Sequence, residues 1–194
     1  AINGEILTTK NIIIATGAKP TIPAIRGLDK IDFLTTDNLW NIRELPKRFC
    51  ILGGGPIGVE LSQCFSRLGS KVTLVEMMAN ILTREDDEIS YALRKSIENE
   101  GVNVHVKTVC KEIITKNGKH FMICEKSGQK QEIEFDKILV AVGRTANTKG
   151  FGLENIGIKL DQHGKIVVDN YLRSVTHKNI YACGDVVGPY QFTH

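Results

Sequence analysis

The sequence is poor in aromatic residues and has no long apolar run. Phe, Trp and Tyr make up 6% of its 194 residues, and the longest apolar stretches, such as 11–15 and 138–142, are only as long as a β-strand. A membrane-spanning helix needs about 20 predominantly apolar residues. We therefore expect no transmembrane segment and no membrane partner.

Charge of either sign is not concentrated anywhere in the chain. The 25 Lys and Arg residues nearly balance the 22 Asp and Glu residues, and the net charge of +3 comes from scattered lysines. Binding to a nucleic acid backbone requires a clustered basic surface. We therefore expect no nucleic acid partner, and the composition is typical of an ordinary globular domain.

The five cysteines do not form a recognisable pattern. Their number is odd, they contain no CxxC pair, and they do not cluster with the five histidines as metal ligands do. This usage predicts a reducing cytoplasm and no metal site. Each cysteine lies among apolar residues, so we expect each to be a small buried hydrophobic residue. They are Cys50, Cys64, Cys110, Cys124 and Cys183.

The two ends suggest a segment of a longer protein. The chain begins with Ala1 rather than Met, without the basic region of a signal peptide, and residues 191–194 follow no completed element. Trimming of a complete chain is the alternative explanation.

Buried strands alternate with amphipathic helices between residues 49 and 106. Strands are predicted at 49–52, 71–76 and 102–106. The helices carry apolar stripes at Ile57, Leu61, Phe65 and Leu68, and at Ile89, Ala92, Leu93 and Ile97. Such alternation predicts an α/β domain with a parallel sheet and right-handed crossovers.

The pattern changes after residue 106. Runs at 109–115, 120–125 and 131–135, separated by glycine-containing turns, predict a three-stranded antiparallel meander. The apolar run 136–142 then rejoins the main sheet, and further strands are predicted at 165–168 and 179–183. Because 20–46 contains prolines and little periodicity, we predict a domain boundary near Pro46.

The turn after residue 52 has the pattern of a dinucleotide-binding motif. Gly53, Gly55 and Gly58 follow a strand and open a helix. In this context Gly53 permits the sharp turn, Gly55 lets the backbone approach a diphosphate, and Gly58 permits close packing of helix on strand. The helix N-terminus offers free N–H groups to the phosphates. A tight turn with no ligand is the alternative.

Glu76 ends the next strand, at the separation where a carboxylate meets the adenosine ribose. A 2′-phosphate would face a like charge there, at a cost of a few kcal/mol, on the order of 332/(ε·r) with ε near 20. Met77 and Met78 supply no cation, and the nearest candidate, Arg84, lies downstream. The sequence therefore favours NAD(H) over NADP(H), unless Glu76 is merely a solvated strand end.

Three further residues are candidates for cofactor binding. Glu60 is placed on the first turn of the helix, where it suits the helix dipole but lies close to a bound diphosphate, so a helix-stabilising role is equally open. Gly143 ends the last parallel strand and leaves room for a nicotinamide, or it caps the strand. Val109, at the start of the meander, completes this set.

Four segments, in this order, resemble one known family. They are 14–20, 53–60, 140–148 and 180–185. They are similar to the ATG segment, the nicotinamide fingerprint, the exit motif and the second flavin motif of the pyridine nucleotide-disulfide oxidoreductases. That family includes dihydrolipoamide dehydrogenase, glutathione reductase and mercuric reductase.

The resemblance implies a Rossmann-like NAD(H)-binding domain at 47–145, flanked by partial FAD-domain segments at 1–46 and 146–194. It adds Gly54, Pro56 and Ile57 to the nicotinamide fingerprint and places Glu60 near the nicotinamide. It also implies that Thr16, Gly17, Ala18 and Asp185 bind FAD in the intact protein, with Asp185 holding the ribityl chain. The intact protein would then be a homodimer that passes a hydride from NADH to FAD and on to a disulfide or metal substrate.

The chain departs from the family pattern in three places. It has no glycine fingerprint for the FAD diphosphate, no cysteine pair with the family spacing, and no dimerisation domain with the catalytic histidine, for which His194 is no substitute. We therefore expect the chain alone to bind NAD(H) without catalysing disulfide reduction, and assign no catalytic residue. A stand-alone nucleotide-binding or sensory module is the alternative.

Overall fold

A computed structural model describes Gly4 and residues 6–188, so the terminal residues 191–194 considered above lie outside the described part. The strands are β1 (Ile12–Ile14), β2 (Ala18–Pro20), β3 (Arg48–Leu52), β4 (Lys71–Val75), β5 (Asn103–His105), β6 (Val109–Lys116), β7 (Lys119–Lys126), β8 (Gln129–Phe135), β9 (Lys137–Val140), β10 (Arg144–Ala146) and β11 (Ile180–Ala182). The α-helices are α1 (Pro56–Arg67) and α2 (Asp87–Asn99). Short 3-10 helices lie at Leu28–Lys30, Leu39–Asn41, Leu153–Ile156 and Gly184–Val186. No helix in the described ranges combines the length and apolarity needed to cross a bilayer.

The chain divides into two compact units. Pro20–Gly143 forms the larger one, and the described residues up to Lys19 and from Arg144 onward form the smaller one. The chain therefore enters and leaves the larger unit through neighbouring segments of the smaller unit.

The larger unit is built on a four-stranded parallel sheet in the order β5-β4-β3-β9. Leu52 at the end of β3 lies opposite both Val75 and Val140, and Val75 lies opposite His105. All four strands therefore end at the same edge of the sheet. This confirms the mixed α/β fold predicted from the alternating pattern.

The two faces of the parallel sheet pack against different layers. Phe49 and Ile51 of β3 pack with the buried residues of α1 and α2, whereas Cys50 and Leu52 pack with those of the meander. This division follows from the two-residue period of a strand, which sends successive side chains to opposite faces. Because both faces are covered, the central positions of these strands are mostly apolar, as at 49–52 in β3.

The meander forms as predicted, with β6-β7-β8 in a three-stranded antiparallel sheet. Asn117 and Gly118 connect the first hairpin, and Ser127 and Gly128 the second, all four with positive φ. Two-residue turns of this kind match the twist of the strands they join. The hairpin sequences thus set the register of all three strands.

Residues 20–46 belong to the larger unit, which differs from the predicted boundary near Pro46. The N–H of Leu34 donates to the carbonyl of Ile138, and the N–H of Val140 donates back to Leu34, both at 2.8 Å. Leu28 and Leu39 are fully buried in the cores on the two sides of the sheet. Single buried leucines and a short stretch of backbone hydrogen bonds produce no periodic pattern in the sequence. The prediction therefore missed that residues 20–46 pack on the larger unit.

The smaller unit contains two short sheets, β1-β11 and β10-β2. Its core includes Ile14, Ile166 and Ile180. The strand predicted at 165–168 was wrong, because this segment forms only isolated bridges, from Ile166 to Leu160 and from Val168 to Ser174.

The cysteines differ in exposure, and all five are free thiols. Cys50 and Cys124 are buried as predicted, while Cys110 and Cys183 are partly exposed. The prediction was wrong for Cys64, which lies on the exposed side of α1 because that helix turns other residues toward the sheet.

Candidate functional site

The turn between β3 and α1 needs glycine at Gly53 for reasons internal to the protein. Gly53 has a φ of +111°, and its N–H donates to the carbonyl of Val75 at 2.9 Å. A Cβ atom on Gly53 would lie 2.7 Å from the carbonyl carbon of Ala141 and closer still to its oxygen. Both the backbone conformation and the neighbouring strand end therefore exclude a side chain.

Gly58 is also enclosed by the protein's own atoms. A Cβ atom there would overlap the carbonyl oxygen of Gly53 and lie 3.4 Å from Cγ2 of Ile51. The first turn of α1 thus rests directly on the turn that precedes it, which agrees with the packing role that the spacing predicts for Gly58.

Gly55 is different, because nothing in the fold requires it. It has an ordinary φ of −74°, and no described atom lies within 4 Å of the position that a Cβ would occupy. It is the N-cap residue of α1, followed by Pro56 at the first helical position, and no side chain among the described residues caps the helix. The first helical N–H groups therefore have no side-chain cap among the described residues, and anions favour such a helix N-terminus.

Glu76 lies against the glycine turn. Its Oε2 accepts a hydrogen bond from the N–H of Gly54 at 2.6 Å, and its Oε1 accepts one from the N–H of Met78 at 2.7 Å. Gly54 is closely packed, since a Cβ there would lie 3.0 Å from both the Cβ of Glu76 and Cγ2 of Ile81. The carboxylate is thus held in place beside the turn, unlike that of a merely solvated strand end.

Glu60 was predicted on the first turn of the helix, but it does not lie there. Because α1 begins at Pro56, Glu60 falls on the second turn, and the first turn carries no acidic residue. Its side chain is exposed. The dipole of the helix therefore acts on Glu60 more weakly than expected, since that effect fades beyond the first turn. Its place near a nicotinamide stays a prediction.

Gly143 and Val109 lie at the same sheet edge. Gly143 has a φ of +136° and open space around its Cβ position, and its carbonyl accepts a hydrogen bond from Thr21 at 2.9 Å. Val109 is 37% exposed, and the N–H of its neighbour Thr108 donates to the carbonyl of Glu76 at 3.0 Å. The structure therefore brings Val109 close to the strand end that carries Glu76.

Two residues near Glu76 were not predicted from the sequence. The carbonyl of His105 accepts the N–H of Glu76 at 2.8 Å, and burial lowers the pKa of the His105 imidazole. The half-buried imidazole lies beside the side chain of Gln131. Lys107 donates its N–H to the carbonyl of Met78 at 2.8 Å and adds an exposed cation to this region. Strand register, which sequence spacing does not reveal, brings both to this place.

A second cluster, in the smaller unit, is organised by Arg144. Its Nε donates to Oδ2 of Asp185 at 3.1 Å, and its Nη2 donates to the carbonyl of Ala18 at 2.5 Å. Arg144 thereby connects two of the residues for which the family resemblance predicts contacts with FAD. Its role was not predicted, because it depends on the pairing of β10 with β2.

Asn147 connects the same motifs through their backbones. Its N–H donates to the carbonyl of Gly17 at 2.9 Å, and its side-chain amide donates to the carbonyl of Thr16 at 3.0 Å. The hydroxyl of Thr16 donates back to the carbonyl of Asn147 at 2.7 Å. Three of the four motif segments are thus hydrogen-bonded within one cluster.

The fold is similar to that of a solved flavoprotein disulfide reductase. The structure matches the Cu(II) complex of HOCl-induced flavoprotein disulfide reductase RclA from Escherichia coli with a TM-score of 0.84 and 34% identity, over 95% of this chain and 42% of that chain. A model of the pyridine nucleotide-disulphide oxidoreductase family matches residues 2–194. The chain belongs to this family, which confirms the resemblance seen in the motifs.

Curated relatives agree with this assignment. The chain is 38% identical to mercuric reductase of Staphylococcus aureus over its full length. It is also 38% identical to dihydrolipoyl dehydrogenase of Acholeplasma laidlawii, again over all of this chain. It spans 35% of the first relative and 56% of the second.

Proposed function

We propose that the larger unit is a Rossmann-like domain that binds NAD(H), in preference to NADP(H). We further propose that the intact protein is an FAD-dependent oxidoreductase that passes a hydride from NADH to FAD and on to a disulfide or metal substrate. The observation that carries the first proposal is the pairing of an open helix N-terminus at Gly55 with a carboxylate held beside the turn at Glu76.

The sheet topology supports this location for the ligand. In the order β5-β4-β3-β9, the chain builds outward from β3 in one direction and then returns to its other side with β9. Open α/β sheets bind ligands at such a reversal, outside the carboxyl ends of the strands. Gly53 and Ala141 approach each other at this reversal, so their backbones would lie beneath a ligand bound there.

The residues fit a dinucleotide in their chemistry. The N–H groups at the start of α1 would hold the diphosphate, since Gly55 leaves room for the phosphates to approach them. Glu76 would exchange its hydrogen bonds with backbone amides for bonds from the ribose hydroxyls. A 2′-phosphate at that position would face the carboxylate charge, which favours NADH over NADPH.

The smaller unit carries the proposed flavin contacts. Thr16, Gly17, Ala18 and Asp185 are connected through Arg144 and Asn147, so they form a preorganised group rather than isolated loops. Asp185 would accept hydrogen bonds from the ribityl chain, and Arg144 would orient its carboxylate. Bound flavin would supply the two-electron redox chemistry. The homodimer and the cytoplasmic location stay predictions.

Nucleotide titration tests the preference for NADH. Titrating the 194-residue chain with NADH and NADPH by calorimetry is expected to show tighter binding of NADH. Glu76→Ala should weaken NADH binding about tenfold, because charge-assisted hydrogen bonds to the ribose are lost. The same change should reduce the difference between the affinities for NADH and NADPH.

Glu76→Gln is the matched control for the fold of the turn. The amide oxygen of the glutamine can still accept a hydrogen bond from the N–H of Gly54, but the side chain carries no charge. Glu76→Gln should therefore reduce the difference between the affinities for NADH and NADPH and retain the thermal stability. Equal affinities for NADH and NADPH in the unmodified chain would contradict the role of Glu76. Absence of binding of either nucleotide would contradict the nucleotide site itself.

The reading frame of the parent gene discriminates the remaining alternative. An upstream GxGxxG turn followed by a close cysteine pair supports the flavoenzyme. A native start at Ala1 would instead favour a stand-alone nucleotide-binding module.

A further inference from the structure

Two cysteines face each other across the first hairpin of the meander. Cys110 of β6 and Cys124 of β7 are Cα partners in the antiparallel register. Side chains of such partners project to the same face of the sheet, with Cα atoms roughly 4.5–5.5 Å apart. A disulfide requires a Cα separation of about 4.4–6.8 Å. The backbone therefore already holds these thiols at a separation that a disulfide can bridge.

Both side chains lie in the core between the meander and the parallel sheet. Cys124 is 0% exposed, and Cys110 packs against the same buried group while remaining partly open to solvent. A hydrogen bond between the two thiols holds the pKa of Cys124 below its ordinary value and raises the pKa of Cys110. The first proton of the pair is thus released more easily than the second.

The backbone next to Cys110 is irregular. The register shifts between Cys110 and Glu112, so Lys111 is an extra residue in β6. A bulge locally disrupts the ladder and bends the strand. This leaves Cys110 freer than a residue in a regular ladder to make the small movement that brings the two sulfur atoms into bonding distance.

We propose that Cys110 and Cys124 are a modification site, at which a peroxide forms a reversible disulfide across the hairpin. The thiolate that forms when the pair loses its first proton attacks one peroxide oxygen, the O–O bond breaks, and that cysteine becomes a sulfenic acid. The sulfur of the other cysteine then attacks the sulfenic sulfur, the S–O bond breaks, and water leaves. In total two thiols and one hydrogen peroxide give one disulfide and two waters, so the peroxide gains the two electrons that the thiols lose.

Cys50 does not compete for this bond. It packs in the same core but is 1% exposed, and it belongs to β3 rather than to a strand paired with β6 or β7. Burial raises the pKa of the Cys50 thiol far above its ordinary value, so it is present as the unreactive thiol. The exposed Cys64 has no cysteine opposite it in a strand pair, which makes it the matched control.

Mass spectrometry of the 194-residue chain tests the proposal. The reduced chain is treated with hydrogen peroxide, its remaining thiols are alkylated, and it is digested with trypsin without reduction. Residues 108–111 and 120–126 are tryptic peptides that contain Cys110 and Cys124, whereas Cys50 and Cys64 share the peptide 49–67. The expected product joins 108–111 to 120–126, and dithiothreitol should separate them again.

Variants separate the native pair from random oxidation. Cys110→Ser should abolish the linked peptide, while Cys64→Ser should leave the linked peptide unchanged. In urea, where the register is lost, the same treatment should yield mixed pairings instead. The proposal is overturned if 120–126 becomes joined to 49–67 in the native chain, or if Cys110 remains free while Cys64 is oxidised.

Discussion

At the scale of single residues, the glycines of the β3–α1 turn meet different requirements. Gly53 and Gly58 are excluded from bearing a side chain by Ala141 and by the turn itself, whereas Gly55 has open space and an ordinary φ. A glycine that the fold does not need is best explained by something that occupies the space beside it. The sequence does not reveal this distinction, because all three positions are simply glycine.

Gly55→Ala is therefore expected to separate binding from folding. The new methyl group should leave the melting temperature unchanged, since no described atom contacts it and the backbone is unstrained. It should weaken NADH binding by about 10–100-fold, the equivalent of roughly 1–3 kcal/mol of overpacking against the diphosphate. Calorimetric titration and thermal unfolding of the same sample measure both quantities.

Gly58→Ala is the control for this experiment, because its methyl group would meet the carbonyl of Gly53. It should lower the free energy of unfolding by about 1–3 kcal/mol. If Gly55→Ala bound NADH normally, the diphosphate would not lie in front of α1.

Residues that act through local sequence could be predicted, and those that act through register could not. The glycine turn and Glu76 belong to one strand-turn-helix-strand unit, so their spacing in the chain reflects their spacing in the fold. Arg144 and Lys107 reach their partners through pairings of distant segments. The Cys110–Cys124 pair was missed for the same reason. A separation of fourteen positions in the sequence does not predict that two residues are opposite each other until the hairpin register is known.

At the scale of elements, an ion pair joins the start of β3 to the turn between β8 and β9. Oδ2 of Asp136 accepts the backbone N–H of Arg48 at 2.8 Å, and Oδ1 accepts Nη2 of the same residue at 2.5 Å. Arg48 also pairs with Glu134. The guanidinium of Arg48 holds the pKa of Asp136 below its ordinary value. This contact fixes where the chain leaves the meander and rejoins the parallel sheet.

Asp136→Asn should lower the melting temperature at pH 7 by about 2–4 °C, the shift expected for the loss of one good polar interaction in a chain of this size. The difference from the unmodified chain should shrink at acidic pH, where Asp136 itself becomes protonated. Thermal unfolding followed by circular dichroism, at pH 7 and at acidic pH, measures the difference between the two melting temperatures. Lys111→Gln, which affects only a loose surface pair with Glu125 at 3.6 Å, is the control and should change little.

The elements themselves were predicted more reliably than the faces that they bury. Helix α1 was expected to bury Leu68, yet Leu68 is 65% exposed and Ser62 is fully buried. In α2, Ile89 is 58% exposed while Ser90 is buried. Close approach to a sheet favours small residues, and hydrophobic periodicity assigns no weight to a buried serine.

At the scale of the whole molecule, the ionised carboxylates stabilise the fold. Hydrogen bonds from cations or backbone N–H groups lower the pKa of five of them: Glu100, Glu134, Asp136, Asp161 and Asp169. A carboxylate with a lowered folded-state pKa contributes its stability above the unfolded-state value of about 4. That contribution is lost as the pH falls through the folded-state values.

The melting temperature should therefore fall in two stages as the pH decreases from 7. A shallow decline is expected below about pH 6.5, because the lowered pKa of His105 makes its protonation in the folded state costly. A steeper decline should follow below about pH 4, from the carboxylates. Thermal unfolding across pH 7 to 3 measures both.

His105→Gln should remove the shallow stage and keep the steep one. A melting temperature that stayed constant down to pH 3 would contradict the stabilising role of the carboxylates.

The late return of β9 has a consequence for synthesis on the ribosome. Leu52 pairs with Val140, and the floor of the turn at Gly53 is completed by Ala141. A nascent chain that has emerged only to residue 105 can form three neighbouring strands, β3, β4 and β5. The edge of β3 that later pairs with β9 is then still unpaired and able to associate with other chains. The meander must emerge before that edge is closed, so the proposed nucleotide site, whose glycine turn and Glu76 are translated early, is completed only when Ala141 has followed.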